Sequence, residues 1–124
     1  MSNFSFLLEN NQYKAFADSC MEAERAFATS YKAVAVLARA ALETSVIWVY
    51  NAEGINLPER YSLKTLIDNY QFAEIVETKT LSRLRFIIKL GNFAAHENKK
   101  ISKEEAIVSL ATLFDFISCI PVNS

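Results

Sequence analysis

The 124-residue sequence predicts an all-α fold: an antiparallel bundle of four main helices with one or two short helices. Hydrophobic residues make up 52% of the chain, which is enough for a sizeable core in a single domain of this length. Only two glycines and two prolines are present, fewer than a fold rich in hairpins and loops needs. Apolar residues recur at helical spacing, and no strand-like alternation extends beyond a few residues.

Two long helices are predicted in the first half of the chain. The first runs from about Asn11 to Ala28, and Thr29 or Ser30 ends it. Its inward residues are Tyr13, Phe16, Ala17, Cys20, Ala23 and Phe27. The second runs from about Tyr31 to Asn51, and Gly54 is the expected left-handed residue after it. The inward residues of this central helix are Val34, Leu37, Ala41, Ser45 and Trp48, and Ala38, Leu42 and Val49 flank them, so wide burial is expected.

Shorter segments and two further long helices are predicted in the second half. Ser62 caps a short helix that extends to about Asn69, and another short turn covers residues 72–77. Thr78 or Thr80 begins a long helix that ends near His96. Ser102 and Glu105 have the spacing of a capping box, so the last helix begins there and runs to about Ile120, before Pro121.

The segment from Ala33 to Tyr50 is apolar enough to resemble a membrane span. Arg39 and Glu43 lie near its centre, where each would be costly in hydrocarbon. The first residues also lack the pattern of a signal peptide. We therefore expect no membrane contact and a cytoplasmic location. Cys20 and Cys119 are expected to be small buried hydrophobes in a reducing compartment.

Several kinds of catalytic site are excluded by composition. His96 is the only histidine, so a multi-histidine metal site cannot form, and no metal or other cofactor is expected in this domain. The sequence has neither a glycine-rich phosphate loop nor a GxSxG elbow. The net charge is −1, which favours no overall attraction to nucleic acid, although a local basic face remains open.

One stripe of the 78–96 helix is polar along its whole length. Arg85, Lys89, Asn92 and His96 follow one another at helical spacing. The opposite stripe is apolar and tapers to small residues: Leu81, Leu84, Ile88, Gly91 and Ala95. A glycine inside a helix costs about 1 kcal/mol relative to alanine, so Gly91 indicates a place where another helix crosses closely.

Arg39 and Glu43 are one helical turn apart on the apolar second helix. We expect both to be largely buried and paired with each other, since an unpaired buried charge is costly. Together with Arg85, Asn92 and His96 they form a predicted polar cluster. Either this cluster is a small acid–base or phosphate-contacting site, or it fixes helix register. We favour the second interpretation, under which replacing His96 affects mainly stability.

The last helix carries apolar residues too widely for one face. Ile107, Leu110, Leu113, Phe114, Phe116, Ile117 and Ile120 indicate two apolar faces. One face would pack on the core and the other could meet a partner. The preceding lysine-rich segment, Lys99–Lys103, is typical of a solvated loop, and Trp48 is expected to belong to the core rather than to a base-stacking surface.

Two motifs resemble a known family. Ala38-Arg39-Ala40-Ala41-Leu42-Glu43 and Leu90-Gly91-Asn92-Phe93-Ala94-Ala95-His96 resemble a helical domain found at the N-terminus of type I restriction endonuclease R subunits and related helicases. The stretches Met1–Leu7 and Lys99–Ala106 look similar to the same domain. That domain is itself similar to the HEPN group of helical bundles, many of which are ribonucleases.

The resemblance implies that residues 1–124 are one domain at the N-terminus of a longer protein. The domain would be a non-catalytic interaction module, with other domains or subunits of the restriction complex as partners. The parent protein would be an ATP-dependent type I site-specific deoxyribonuclease that requires Mg²⁺ and contacts DNA.

Two alternatives stay open, a HEPN-type endoribonuclease and a free-standing homodimeric regulator. A ribonuclease would use His96, Asn92 and Lys89 as its catalytic candidates. HEPN ribonucleases place an arginine shortly before the histidine. Here that position falls on Gly91, Leu90 or Lys89, of which only Lys89 is cationic.

Overall fold

The computed structural model describes residues 14–96 and 99–120, and these residues form an all-α bundle. The helices are α1 (Lys14–Arg25), α2 (Tyr31–Glu53), α3 (Leu63–Asp68), α4 (Tyr70–Ile75), α5 (Thr78–Ala94) and α6 (Lys103–Ser118), with a 3₁₀ turn over Ala26–Ala28. Four helices are long and two are short, so the predicted fold class is confirmed. Three predictions concern residues outside the described ranges: the start of the first helix at Asn11, the inward position of Tyr13 and the stop at Pro121.

Side-chain caps fix the helix ends where the sequence contains a clear signal. The Ser30 hydroxyl accepts a hydrogen bond from a backbone N–H of the first turn of α2, and Gly54 closes α2 at φ 69°. Ser62 and Ser102 each form a capping box, at α3 and α6 respectively. Each of these residues satisfies backbone groups that a helix end leaves unpaired, and all four ends lie within about two residues of their predicted positions.

The junction between α3 and α4 differs from the prediction. The Asn69 side-chain oxygen accepts hydrogen bonds from the backbone N–H groups of Gln71 (2.8 Å) and Phe72 (3.2 Å). Asn69 therefore caps the start of α4, and the last residue of α3 is Asp68. The reason is that an asparagine side chain competes with the helix backbone and favours a cap over a helix interior.

Helix α2 is the central element and packs against α1, α5 and α6. Its buried face is turned relative to the predicted one. Ala38, Leu42 and Val49, which were expected to flank that face, are buried, whereas Leu37 and Trp48 are partly exposed. Trp48 still packs against the core, with its ring edge-on to Phe16 at 5.6 Å between centroids. Because α2 has neighbouring helices on several sides, the positions of those helices decide which of its residues are buried. The buried residues are therefore not confined to one apolar stripe.

Of the described helices, α2 alone is long and apolar enough to cross a membrane on length and composition. Half of its most apolar window is buried inside the bundle (50%).

A buried hydrogen bond joins the short helix α3 to α2. The Tyr50 hydroxyl donates to the backbone carbonyl of Leu66, which belongs to the last turn of α3 and has no partner within that helix. Tyr50 itself is fully buried and stacks on Phe72 of α4 at 5.8 Å between ring centroids. One side chain of α2 therefore positions both short helices. Burial raises the pKa of the Tyr50 hydroxyl, which keeps it protonated as a donor.

Helices α2 and α5 cross in close contact at Gly91. A Cβ atom built on Gly91 would lie 2.6 Å from the Cβ of Arg39, 2.7 Å from its Cδ and 3.1 Å from the backbone oxygen of Ala35. The Arg39 Cβ is attached directly to the α2 backbone and cannot swing aside. The close crossing predicted from the small-residue stripe is therefore present, and it leaves no room for a methyl group.

We expect Gly91→Ala to destabilise the protein. Moving the two helices apart should cost about 1–3 kcal/mol, which exceeds the roughly 1 kcal/mol that alanine gains in helix propensity. Gly91→Leu should lower the free energy of unfolding further. Urea denaturation followed by circular dichroism measures both variants, and Ser82→Ala, at an exposed position of the same helix, is the control. A Gly91→Ala protein at least as stable as the parent would contradict the close crossing.

Candidate functional site

The polar stripe of α5 faces solvent. Arg85, Lys89, Asn92 and His96 are all exposed, because the opposite side of the helix holds the buried residues that pack on the core. The buried side of α5, from Leu81 to Ala94, therefore fixes the direction in which the polar residues point. The candidate residues proposed for an endoribonuclease, Lys89, Asn92 and His96, share this exposed face.

Arg85 is held in a defined position by an aspartate from another helix. Its Nη2 lies 2.8 Å from Oδ1 of Asp68 at the end of α3. Lys64, one turn earlier on α3, approaches the other oxygen of the same carboxylate at 3.7 Å. The hydrogen bond from Arg85 is the main reason that the pKa of Asp68 is lowered, so the carboxylate stays ionised. Sequence analysis missed Asp68 because α3 and α5 are brought together only by the fold.

A shallow depression lies along this stripe. Its volume is about 310 Å³, and it is lined by Lys64, Arg85, Ile88, Lys89 and Asn92. Ile88 forms an apolar floor, and three cationic side chains and one amide surround it. His96 lies beyond this depression, at the end of α5. The arrangement can attract an anion by charge and offer hydrogen-bond donors from the arginine, the lysines and the amide.

Arg39 and Glu43 do not join this group, so the predicted five-residue polar cluster is not formed. Arg39 packs against Gly91, on the buried side of α5 and away from the polar stripe. Both residues are only partly buried, and within the described part of the chain they make no ion pair with each other. The Nε atom of Arg39 is buried without a hydrogen-bond acceptor. The expected ion pair is therefore wrong: the Arg39 stem packs against Gly91 of α5, and no ion pair joins Arg39 to Glu43 among the described residues.

The geometry of the stripe does not suit acid–base cleavage of a phosphodiester. Such a reaction needs a proton-transfer group and a cation that converge on one phosphate. Lys89 lines the depression, whereas His96 lies past the last residue of α5, Ala94, and does not line it. His96 is also exposed, so the expectation that its replacement would mainly affect stability does not fit its position.

The two cysteines have different surroundings, and both are free. Cys20 is buried, and its pKa is raised to about 12, first by burial and second by the nearby charge of Glu24. Its thiol is therefore unreactive at neutral pH. Cys119 is exposed, which corrects the expectation that both cysteines are buried. In the described ranges, no three side chains of His, Cys, Asp or Glu come together as metal ligands.

A second surface feature lies on α6. Ile107 and Val108 are both 46% exposed, whereas the opposite face of the helix packs on the core. A groove of about 400 Å³ runs between this outer face and the end of α1. It is lined by Glu24, Phe27, Ile107, Leu110, Ala111, Phe114 and Asp115. The second apolar face predicted for the last helix is confirmed.

Comparison with known proteins gives one match. Residues 21–119 match a family described as a domain of unknown function (DUF4145). The match includes the end of α1 and all of α2 to α6, so both the polar stripe and the apolar groove fall inside it. No curated protein and no solved structure shows significant similarity to the chain.

The unpaired Arg39 leads to a prediction about stability. Arg39→Met keeps the side-chain stem against Gly91 and removes a buried Nε that has no acceptor. We expect the free energy of unfolding to stay unchanged or to rise by about 1 kcal/mol. Glu43→Gln should change it by less than about 0.5 kcal/mol. Urea denaturation measures both variants. If either lowers the free energy of unfolding by about 3 kcal/mol, Arg39 and Glu43 form a buried ion pair after all.

Proposed function

This chain belongs to the DUF4145 family, and we propose that it is a non-catalytic helical interaction module of a type I restriction endonuclease R subunit. The motifs around Arg39 and Gly91 support the link to restriction enzymes, through their resemblance to the N-terminal domain of such subunits. In this proposal, ATP and Mg²⁺ are bound by other domains of the parent protein, which acts on DNA in the cytoplasm.

The outer face of α6 is the observation that carries the interaction role. Ile107 and Val108 are both exposed, and Ile107 lines, with Ala111, a groove whose side chains are mainly apolar. Burying one large apolar side chain contributes about 1.5–3 kcal/mol, so covering this face would contribute substantially to binding. Contiguous apolar surface of this kind on a folded domain marks a contact with another protein.

The shape and charge of the groove define its partner. Its lining is mainly apolar and also includes Glu24 and Asp115, the second of which lies 4.0 Å from Arg83. An amphipathic helix fits such a groove when its apolar side chains recur at helical spacing and its flanks carry lysine or arginine. We assign the groove to a helix of this type from another domain or subunit of the restriction complex.

Substitution of Ile107 tests this role. Ile107→Glu places a charge at the centre of the groove and should weaken binding to the partner subunit at least about tenfold. The measurement is biolayer interferometry of the 124-residue chain against the purified helicase–nuclease region and the methyltransferase subunits of the type I system of the same organism. Leu57→Glu is the matched control, because Leu57 is 37% exposed in the loop before α3 and lies outside the groove.

Two results would contradict this proposal. One is equal binding by the parent chain and the Ile107→Glu variant, or no binding to any subunit of the complex. The other is a chain that dimerises by itself in light scattering and becomes monomeric with Ile107→Glu. That result would support the free-standing dimeric regulator instead.

The rival endoribonuclease gives a separate prediction. Because Lys89 lines the depression and His96 does not, we expect no cleavage of labelled single-stranded RNA or duplex DNA, with or without Mg²⁺. His96→Ala should leave the unfolding midpoint nearly unchanged, since the side chain is exposed. Cleavage by the parent chain that disappears in a folded His96→Ala variant would promote the ribonuclease over the interaction module.

A further inference from the structure

The charges of this protein are distributed unevenly although its net charge is only −1. From residue 78 to residue 96 the sequence contains Lys79, Arg83, Arg85 and Lys89 but no aspartate or glutamate. Every charged side chain of helix α5 is therefore positive. A uniform sign along one helix creates a local positive potential that the net charge of the chain conceals.

The fold adds to this potential on one side of α5. Lys64 of α3 lies beside Arg85, Lys89 and Asn92 around the depression described above. The side chains of Lys64 and Arg85 are 73% and 50% exposed, so their charges are available to a ligand. Arg83 instead extends toward α6, where its Nη1 lies 4.0 Å from Oδ2 of Asp115.

Two carboxylates border this side of α5. Asp68 contacts both Arg85 and Lys64, and it therefore offsets one of the three charges around the depression. Glu105 lies beside Lys89 at a neighbouring depression on the α6 side. Since Asp68 also orients the Arg85 guanidinium, less side-chain freedom is lost when the remaining N–H groups bind an anion.

The length of the polar face fits a repeating anion better than a single one. Arg85 to Asn92, both within α5, spans about 10 Å along the helix axis. One strand of duplex DNA presents a phosphate about every 3.4 Å along its axis, so several phosphates fall within that length. Beyond Asn92, Phe93 is 44% exposed, and the Lys99 ammonium lies 4.8 Å from its ring centroid.

We propose that this face of α5, from Arg85 to Asn92 together with Lys64, binds the phosphodiester backbone of a nucleic acid without cutting it. Lys64, Arg85 and Lys89 supply the charge, and Asn92 supplies a neutral donor. The contacts are to phosphates, so binding carries no base specificity. This role goes beyond docking through α6 and uses a different surface of the molecule.

Fluorescence anisotropy with a labelled 20-base-pair DNA duplex tests the proposal, with an RNA duplex of the same sequence as a second probe. Three cationic side chains, one of whose charges Asp68 offsets, predict a slope of about −2 for log K against log salt. The Lys64→Glu/Lys89→Glu variant should bind at least about tenfold more weakly and reduce the slope by about two. The control is Lys14→Glu/Arg25→Glu, which makes the same charge change at two exposed cationic residues of α1.

The proposal is supported if the parent chain binds either duplex, the α5 variant loses that binding and the control variant keeps it. The duplex that binds more tightly shows whether DNA or RNA is preferred. Two results overturn it: no binding at low salt with about 100 µM protein, or equal affinities for the two double variants. Ile107→Glu should leave nucleic-acid affinity unchanged. A failure of this proposal is therefore distinguishable from a failure of docking through α6.

Discussion

The crossing of α2 and α5 at Gly91 sets the arrangement of the rest of the bundle. With no Cβ at this position, the two helices approach until the Arg39 stem lies against the α5 backbone. Helix α2 then contacts α1 and α6 on its remaining sides and becomes the centre of the core. Because the side of α5 that carries Gly91 is fixed against α2, the opposite side must face solvent. The exposure of Arg85, Lys89 and Asn92 thus follows from where one glycine packs.

The same crossing explains why Arg39 and Arg85 have different roles. Arg39 lies on the core side of α5, where its stem fills space and its Nε finds no acceptor. Arg85 lies on the solvent side, where Asp68 orients it and water screens the pair. A buried polar group without a partner lowers the stability of the fold, whereas an oriented and accessible guanidinium can bind an anion. The two arginines are chemically identical, so only their positions relative to α5 distinguish them.

The two proposed surfaces use different physical principles. The outer face of α6 offers apolar area, for which burial supplies the free energy and shape decides the partner. The solvent face of α5 offers charge, which acts over a longer range and weakens as salt increases. Both faces exist because α5 and α6 each pack only one side against the core. A small helical domain can therefore present two independent binding surfaces without enlarging its core.

The sequence by itself determined the fold class, most helix ends and the two-faced nature of α6. These depend on local spacing and on caps such as Ser30, Ser62 and Ser102, whose hydrogen bonds stay within one helical turn. Only the tertiary structure decided which face of α2 is buried, that Arg39 and Glu43 are not paired, and that Asp68 and Lys64 join Arg85. Those facts depend on how helices distant in sequence are placed, and helical periodicity contains no information about which neighbour covers which side.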